Sequence, residues 1–478
     1  MKQAIKKLLP TNRFARSVSI LAGGTAAAQA ITILAAPLLT RLYTPENFGI
    51  LSIYASLLAI IAVIASLRYQ LAIPIAMSDE DAANVVTLSL LVVIGMSILT
   101  AVFVGFFRHP IVEVLNCPSL AVYLWLLPVG LFLVGTYQVF QYWAIRTKAF
   151  PAIARTKLAQ ALSMVGMQIG GHTFGALALL IAQIFGQMAG ITSLSVLAVK
   201  NHWNLFKKVR TVGIISVAGR YRHFPLYSTW GAVFNTAGSH LPPLLFAGLF
   251  SVSSAGFYLL AHRVLAIPSR FIGMSVADVF FSSAVDAHRQ DRLRPLVARI
   301  HEKLAHFIMP PVVIIVLAGP DLFSLMFGTE WRLAGEFSRW MAVYIYFQFV
   351  SSPLSQLFSV LEKQAQGTFY QGCLLITQIG GLSIGALYGS SILSVALFSL
   401  GSAICYFGLL IWMISVTKND WSVLWSPTIK ALAWSILLVS PFMIFHILSE
   451  NVLFWFLALC FSSALIGCRY FLIAKKSW

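Results

Sequence analysis

Roughly fourteen apolar stretches follow one another along this chain, each near the ~20 residues that a bilayer requires. Hydrocarbon offers no hydrogen bonds to a backbone. A stretch that crosses it must therefore satisfy its own N–H and C=O groups as an α-helix. The stretches lie near 15–36, 48–69, 84–106, 119–141, 157–174, 176–199, 224–248, 256–284, 301–319, 338–360, 370–388, 391–416, 430–448 and 451–472. Composition agrees: of 478 residues, 59% are apolar and 10% charged, against about 25% charged in a soluble domain. The expected fold is an all-α polytopic membrane protein.

A formal charge of +18 would ordinarily suggest an acidic partner such as nucleic acid. The placement of the charge points elsewhere. With the N-terminus inside, the inner loops and both termini hold 27 of the 33 basic residues, while the outer loops hold four, Arg41, Arg108, Arg332 and Arg339. The asymmetry accounts for the basicity without nucleic acid. It places both termini in the cytoplasm and 107–118 and 320–337 outside. Lys2, Lys6, Lys7, Arg13 and Arg16 precede an apolar run in which 26–30 resembles a signal-peptidase site. The run continues through Ile31–Ala36 unbroken, so an uncleaved first helix is expected. Cys117, Cys373, Cys405, Cys460 and Cys468 lack metal-ligand spacing and read as structural.

An internal repeat organises the chain. Pro37-Leu38-Leu39 and Gly49 recur as Pro243-Leu244-Leu245 and Gly256. Gln168-Ile169-Gly170-Gly171 with Gly175-Ala176-Leu177 recurs as Gln378-Ile379-Gly380-Gly381 with Gly385-Ala386-Leu387, and the offsets run from 206 to 210 residues. Six helices separate the copies. An even number preserves orientation, so the halves are parallel repeats about an axis along the membrane normal. The expected division is an N-terminal lobe at 1–200, a cytoplasmic linker at 201–223, a C-terminal lobe at 224–416, and an appended helix pair at 417–478. The cleft between the lobes is the natural binding place.

Catalytic constellations are missing. The chain has no GxxxxGK[ST], HExxH or GxSxG, and no cofactor or metal is implied. Coupling to an ion gradient or to the membrane potential is therefore expected rather than nucleotide hydrolysis. Asp79-Glu80-Asp81 follows Ser78 and reads as a solvated helix start. The informative groups are polar residues inside spans, where burial against lipid is costly. Arg263, Arg270 and Asp278 lie on the eighth helix and, at 100° per residue, share one face. Arg270 is about 20 Å along that helix from Gly256. Gln29, Asn235, His240 and glutamines 138, 141, 160, 168, 183, 187, 348, 356 and 378 are either interhelical glue or ligands for a polar cargo.

The opening residues resemble a known family. Ala22-Gly23-Gly24-Thr25, then Pro37-Leu38-Leu39-Thr40-Arg41-Leu42-Tyr43-Thr44-Pro45-Glu46-Asn47-Phe48-Gly49, are similar to the start of Wzx-type polysaccharide flippases of the multidrug/oligosaccharidyl-lipid/polysaccharide (MOP) superfamily. Leu67-Arg68-Tyr69-Gln70-Leu71-Ala72-Ile73 and Asp79-Glu80-Asp81-Ala82-Ala83-Asn84 extend the likeness. The resemblance implies two six-helix lobes around a central cationic cavity. It implies a cargo of undecaprenyl-pyrophosphate-linked repeat units for O-antigen, capsule or exopolysaccharide. It also implies membrane lipids, a polysaccharide polymerase and chain-length proteins as partners, in a bacterial inner membrane. About fourteen helices depart from the twelve of many such proteins. No acid lies within 15–36, unlike many drug-exporting relatives. The expected cavity residues are Arg270, Arg263, Asp278, His240, Asn235 and Gln29, with the arginines gripping diphosphate. The competing readings are a cation-coupled exporter of amphiphilic small molecules and a membrane glycosyltransferase or ligase.

Overall fold

The computed structural model describes residues 13–448 and 452–475, and these hold sixteen helices of ten or more residues. In chain order the first half holds α1 (Arg13–Leu42), α2 (Pro45–Ala62), α3 (Asp79–Val114), α4 (Leu126–Arg146), α5 (Phe150–Gly170), α6 (Ala176–Lys207), α7 (Thr211–Arg220) and α8 (Thr229–Leu249). The second holds α9 (Val252–Leu265), α10 (Met274–Arg289), α11 (Leu293–Phe327), α12 (Arg332–Ser351), α13 (Gln364–Leu387), α14 (Ser391–Val416), α15 (Ser422–Leu448) and α16 (Val452–Lys475). Every apolar stretch expected to span falls on a helix. Eight of them meet both the length and the hydropathy of a span. The others are shorter or diluted by polar groups.

Several stretches are not continuous helices, among them the tenth, where α12 ends at Ser351 and a tight turn follows at Pro353–Gln356. The second stops at Ala62. The chain then passes through turns in which Leu67 and Arg68 take left-handed φ values of 47° and 61°, before a tight turn at Tyr69–Ala72. The eighth is divided into α9 and α10. The fifth and sixth, expected to meet at a glycine-rich junction, are α5 and α6 as whole helices.

The chain forms two compact units, Met1–Gly256 and Phe257–Trp478. In the first, α1 packs on α5, α5 on α6, and α3 on α4. A buried cluster of Ile73, Val86, Val139, Trp143 and Val217 ties α3, α4 and α7 together. In the second, α11 packs on α12 and α15, and α13 on α14. Within lipid, apolar side chains gain little by leaving their solvent, so helix association rests on close packing of small residues. Gly49 and Gly256, counterparts in the repeat, show this in the first unit. A Cβ on Gly49 would sit 1.9 Å from the Val252 carbonyl oxygen, and one on Gly256 would sit 2.1 Å from that of Pro45. The other repeated motif serves two different ends. Gly170 closes α5, and Gly175 turns the chain at φ 57°. Gly381 and Gly385 stay inside α13, where their missing side chains admit the backbone of α14 at Phe398 and Ser394.

The reciprocal packing makes Gly49 intolerant of a methyl group. Overpacking of this kind costs about 1–3 kcal/mol. Gly49→Ala is expected to at least halve the monodisperse peak in fluorescence-detected size exclusion. Gly95→Ala, with nothing within 4 Å of the added Cβ, should leave it unchanged. Equal peaks for the two variants would refute the contact.

Candidate functional site

The interrupted eighth span carries the two intramembrane arginines. Pro268 has no N–H to return to the preceding turn, and the backbone widens into a π-helical turn at Ser269–Gly273. Up to that point the α-helical pattern holds, with Ala266 N–H donating to the His262 carbonyl at 2.9 Å and Arg270 N–H to that of Ala266 at 3.0 Å. Arg263 and Arg270 therefore keep the seven-residue step that puts them on one face. Beyond it the wider turn delays the register by about one residue. Asp278 sits in α10; its side chain lies outside the described residues.

Arg270 stands midway between Val252 and Arg289, and its side chain is exposed, while Arg263 is half-buried. Among the described residues, neither guanidinium has a hydrogen bond or an ion pair. An arginine facing hydrocarbon at such depth would cost at least ~2.5–3.5 kcal/mol. The stable arrangement turns this face toward water or an anion. The remaining expected residues lie in the first unit. Asn235 is exposed and His240 half-buried on α8, five residues apart. Gln29 is on α1, its Oε1 buried with no partner.

The structure sorts the glutamines. Gln160 Nε2 donates to Gln187 Oε1 at 3.3 Å between α5 and α6, and Gln70 Nε2 to Gln138 Oε1 at 3.3 Å. Gln348 Nε2 donates to the Tyr406 hydroxyl at 2.8 Å, and Gln378 Nε2 to Ser402 Oγ at 3.2 Å. These join helix to helix, the commoner role of polar groups in membranes. Gln168 differs: it is buried and its Oε1 is unpartnered, like that of Gln29.

The acidic run is more than a helix start. Ser78 Oγ does cap α3, accepting from Asp81 N–H at 3.0 Å. Each acid also meets a base: Asp79 with Arg146 at 2.8 Å, Glu80 with Lys208 at 2.8 Å, and Asp81 with Arg220 at 4.0 Å. Arg146 reaches further. Its Nη1 donates to the carbonyls of Ile73 at 3.0 Å and Ala76 at 2.9 Å, holding the turn between the broken second span and α3. Arg68, in the same break, leaves its Nε buried without a partner. Sequence reading missed both roles, because an arginine that ties a distant loop leaves no local spacing signal.

The helical layout defines an all-α, multi-pass membrane protein. Its backbone is similar to that of a lipid II flippase, MurJ, in an inward closed conformation (TM-score 0.74, 12% identity, 95% of this chain and 99% of that one). It is also similar to an inward-facing multidrug resistance MATE family transporter of the MOP superfamily (TM-score 0.65, 14% identity, 82% and 95%). A MATE transporter from Vibrio cholerae, VcmN, follows at TM-score 0.50 and 13% identity, over 85% and 96% of the two chains. By sequence, a family profile described as polysaccharide biosynthesis protein matches residues 38–335, and the chain belongs to that family. No curated protein matches it.

Arg146 and Asp79 separate two kinds of interaction. A planar guanidinium holds several carbonyls at once, which an ammonium does not. An exposed ion pair contributes about 0–1 kcal/mol. Arg146→Lys is expected to lower the melting midpoint of the purified protein clearly more than Asp79→Asn does. Equal shifts would reverse this assignment and make the ion pair the main contact.

Proposed function

We propose that this protein translocates undecaprenyl-pyrophosphate-linked oligosaccharide repeat units from the cytoplasmic to the periplasmic leaflet of a bacterial inner membrane. The product would serve O-antigen, capsule or exopolysaccharide synthesis. The observation that carries the reading is the pair Arg263 and Arg270, unpartnered among the described residues, on one face of a broken helix in a chain of the polysaccharide biosynthesis family. A diphosphate concentrates negative charge and loses hydration as it enters a membrane. Guanidinium groups offset that loss and grip phosphate oxygens in bidentate fashion. The similar backbone of a lipid II flippase supports the same class of cargo.

In this reading the repeat forms two parallel six-helix lobes, with 201–223 as the linker and 417–478 as an added pair, and transport proceeds by alternating access. Arg270 binds the diphosphate with Arg263 assisting. Asn235, His240 and Gln29 offer hydrogen bonds to sugars, and Asp278 balances charge. Polysaccharide polymerase and chain-length proteins would act on the product. The absence of any acid from Ser19–Leu42 speaks against a cation-coupled drug exporter built on a first-helix carboxylate.

A charged hydrogen bond contributes about 1.5–3 kcal/mol, roughly tenfold or more in binding. Arg270→Ala is expected to reduce surface glycan at least tenfold at unchanged membrane protein level. Arg270→Lys should retain part of it, since the charge persists without the planar fork. Normal glycan in a well-expressed Arg270→Ala strain would remove this residue from the mechanism. A fall in protein level, rescued by also neutralising Asp278, would mark the arginine as structural.

Orientation has its own test. Cys117 is buried, so it is a poor probe of side. A Cys117→Ser, Ser119→Cys protein in which Cys373, Cys405, Cys460 and Cys468 are also replaced by serine carries its one thiol at an exposed position. An impermeant maleimide is expected to label it in cells whose outer membrane alone is permeabilised. Labelling that appears only after the inner membrane is opened would invert the topology.

A further inference from the structure

A second basic cluster lies away from the eighth span, where α11, α15 and α16 meet. Arg469 on α16 stacks its guanidinium over the ring of Trp434 on α15, 4.4 Å from the centroid. Its Nη2 donates to His306 Nδ1 on α11 at 3.0 Å, which makes that imidazole the neutral acceptor and fixes the guanidinium plane. Its Nη1 is buried and has no acceptor. Lys430 is exposed one turn before Trp434, on the same face of α15. Among the described residues no carboxylate pairs with Arg469 or Lys430, although Glu302 stands one turn before His306 on α11.

The depth of the cluster says what could fill it. Arg469 is about 9 Å from the end of α16 at Lys475, and Lys430 about 12 Å from the start of α15 at Ser422. Those ends mark the same side, so the cations sit at the level where headgroups meet acyl chains. Trp434 is half-exposed, and an indole in that position is typical of the interfacial belt. The exposed Lys430 and the half-buried Arg469 are open at this level to an anion that arrives with an apolar tail. Basic pockets between spanning helices bind lipid phosphates in this way.

We propose that Arg469 and Lys430 hold the phosphate of an anionic phospholipid from the leaflet on that side, with Trp434 against its glycerol end and His306 positioning Arg469. This goes beyond the transport reading and does not depend on it, because the test reads lipid binding alone. The full-length protein in detergent is melted with phosphatidylglycerol or with phosphatidylcholine added at equal mole fraction. Phosphatidylglycerol is expected to raise the wild-type midpoint more than phosphatidylcholine does. Lys430→Gln, which changes only an exposed side chain, should lose at least half of that difference, and Arg469→Gln nearly all of it. Should Arg469→Gln fail to fold, native mass spectrometry of Lys430→Gln provides the count of retained phosphatidylglycerol, expected to fall at least twofold. No lipid-specific difference in the wild type, or an undiminished difference in Lys430→Gln, overturns the site.

Discussion

Hydrocarbon's refusal to hydrogen-bond the backbone governs the rest of this structure. Where helices are continuous the requirement is met residue by residue. Where they break, something local must meet it. After α2 the chain leaves helical geometry at Leu67 and Arg68, and the guanidinium of Arg146 collects the carbonyls of Ile73 and Ala76. At Pro268 a widened π turn takes up the missing donor. Phe224–Ser228 does the same around Pro225. In α11 the break at Ala318, φ −125°, comes two residues before Pro320. Each of these four departures coincides with a proline or an arginine.

The same solvent removes the usual reason for helices to cluster. A leucine gains little by exchanging lipid for another leucine, so contact depends on how closely backbones approach. Gly319 and Gly335 repeat, inside the second unit, the reciprocal fit of Gly49 and Gly256. A Cβ on Gly335 would fall 2.5 Å from the Gly319 carbonyl oxygen. Glutamine pairs such as Gln160 with Gln187 add direction to these contacts. Packing and hydrogen bonding thus share the work that water's exclusion does in a soluble core.

Much of the fold was legible because its cause is local. Apolar length marks each span, and Ser78 before three acids marks the start of α3. What escaped the sequence was non-local. Nothing near Arg146 announces that it will reach Ile73, seventy-three residues earlier. The even 100° step assumed between the arginines and Asp278 is interrupted at the π turn, since periodicity assumes an unbroken helix. The glutamines could not be divided by eye, because glue and ligand use the same amide. Their partners separated them, leaving Gln29 and Gln168 with buried acceptors unmet.

The arginines then follow one rule with two outcomes. A cation placed within a helical membrane protein needs a carboxylate, carbonyls, water or an arriving anion. Arg146 has a carboxylate and carbonyls, and the loop it ties is part of the architecture. Arg332 has Asp321 and is settled likewise. Arg263, Arg270 and Arg469 have no carboxylate among the described residues, and Arg469 leaves one nitrogen buried and unmet. The two proposals assign to these three the ligands that bring their own negative charge. The depth of each determines which anion can reach it. On those proposals Arg270, midway along its span, meets a cargo in transit, and Arg469, near a helix end, meets lipid at rest.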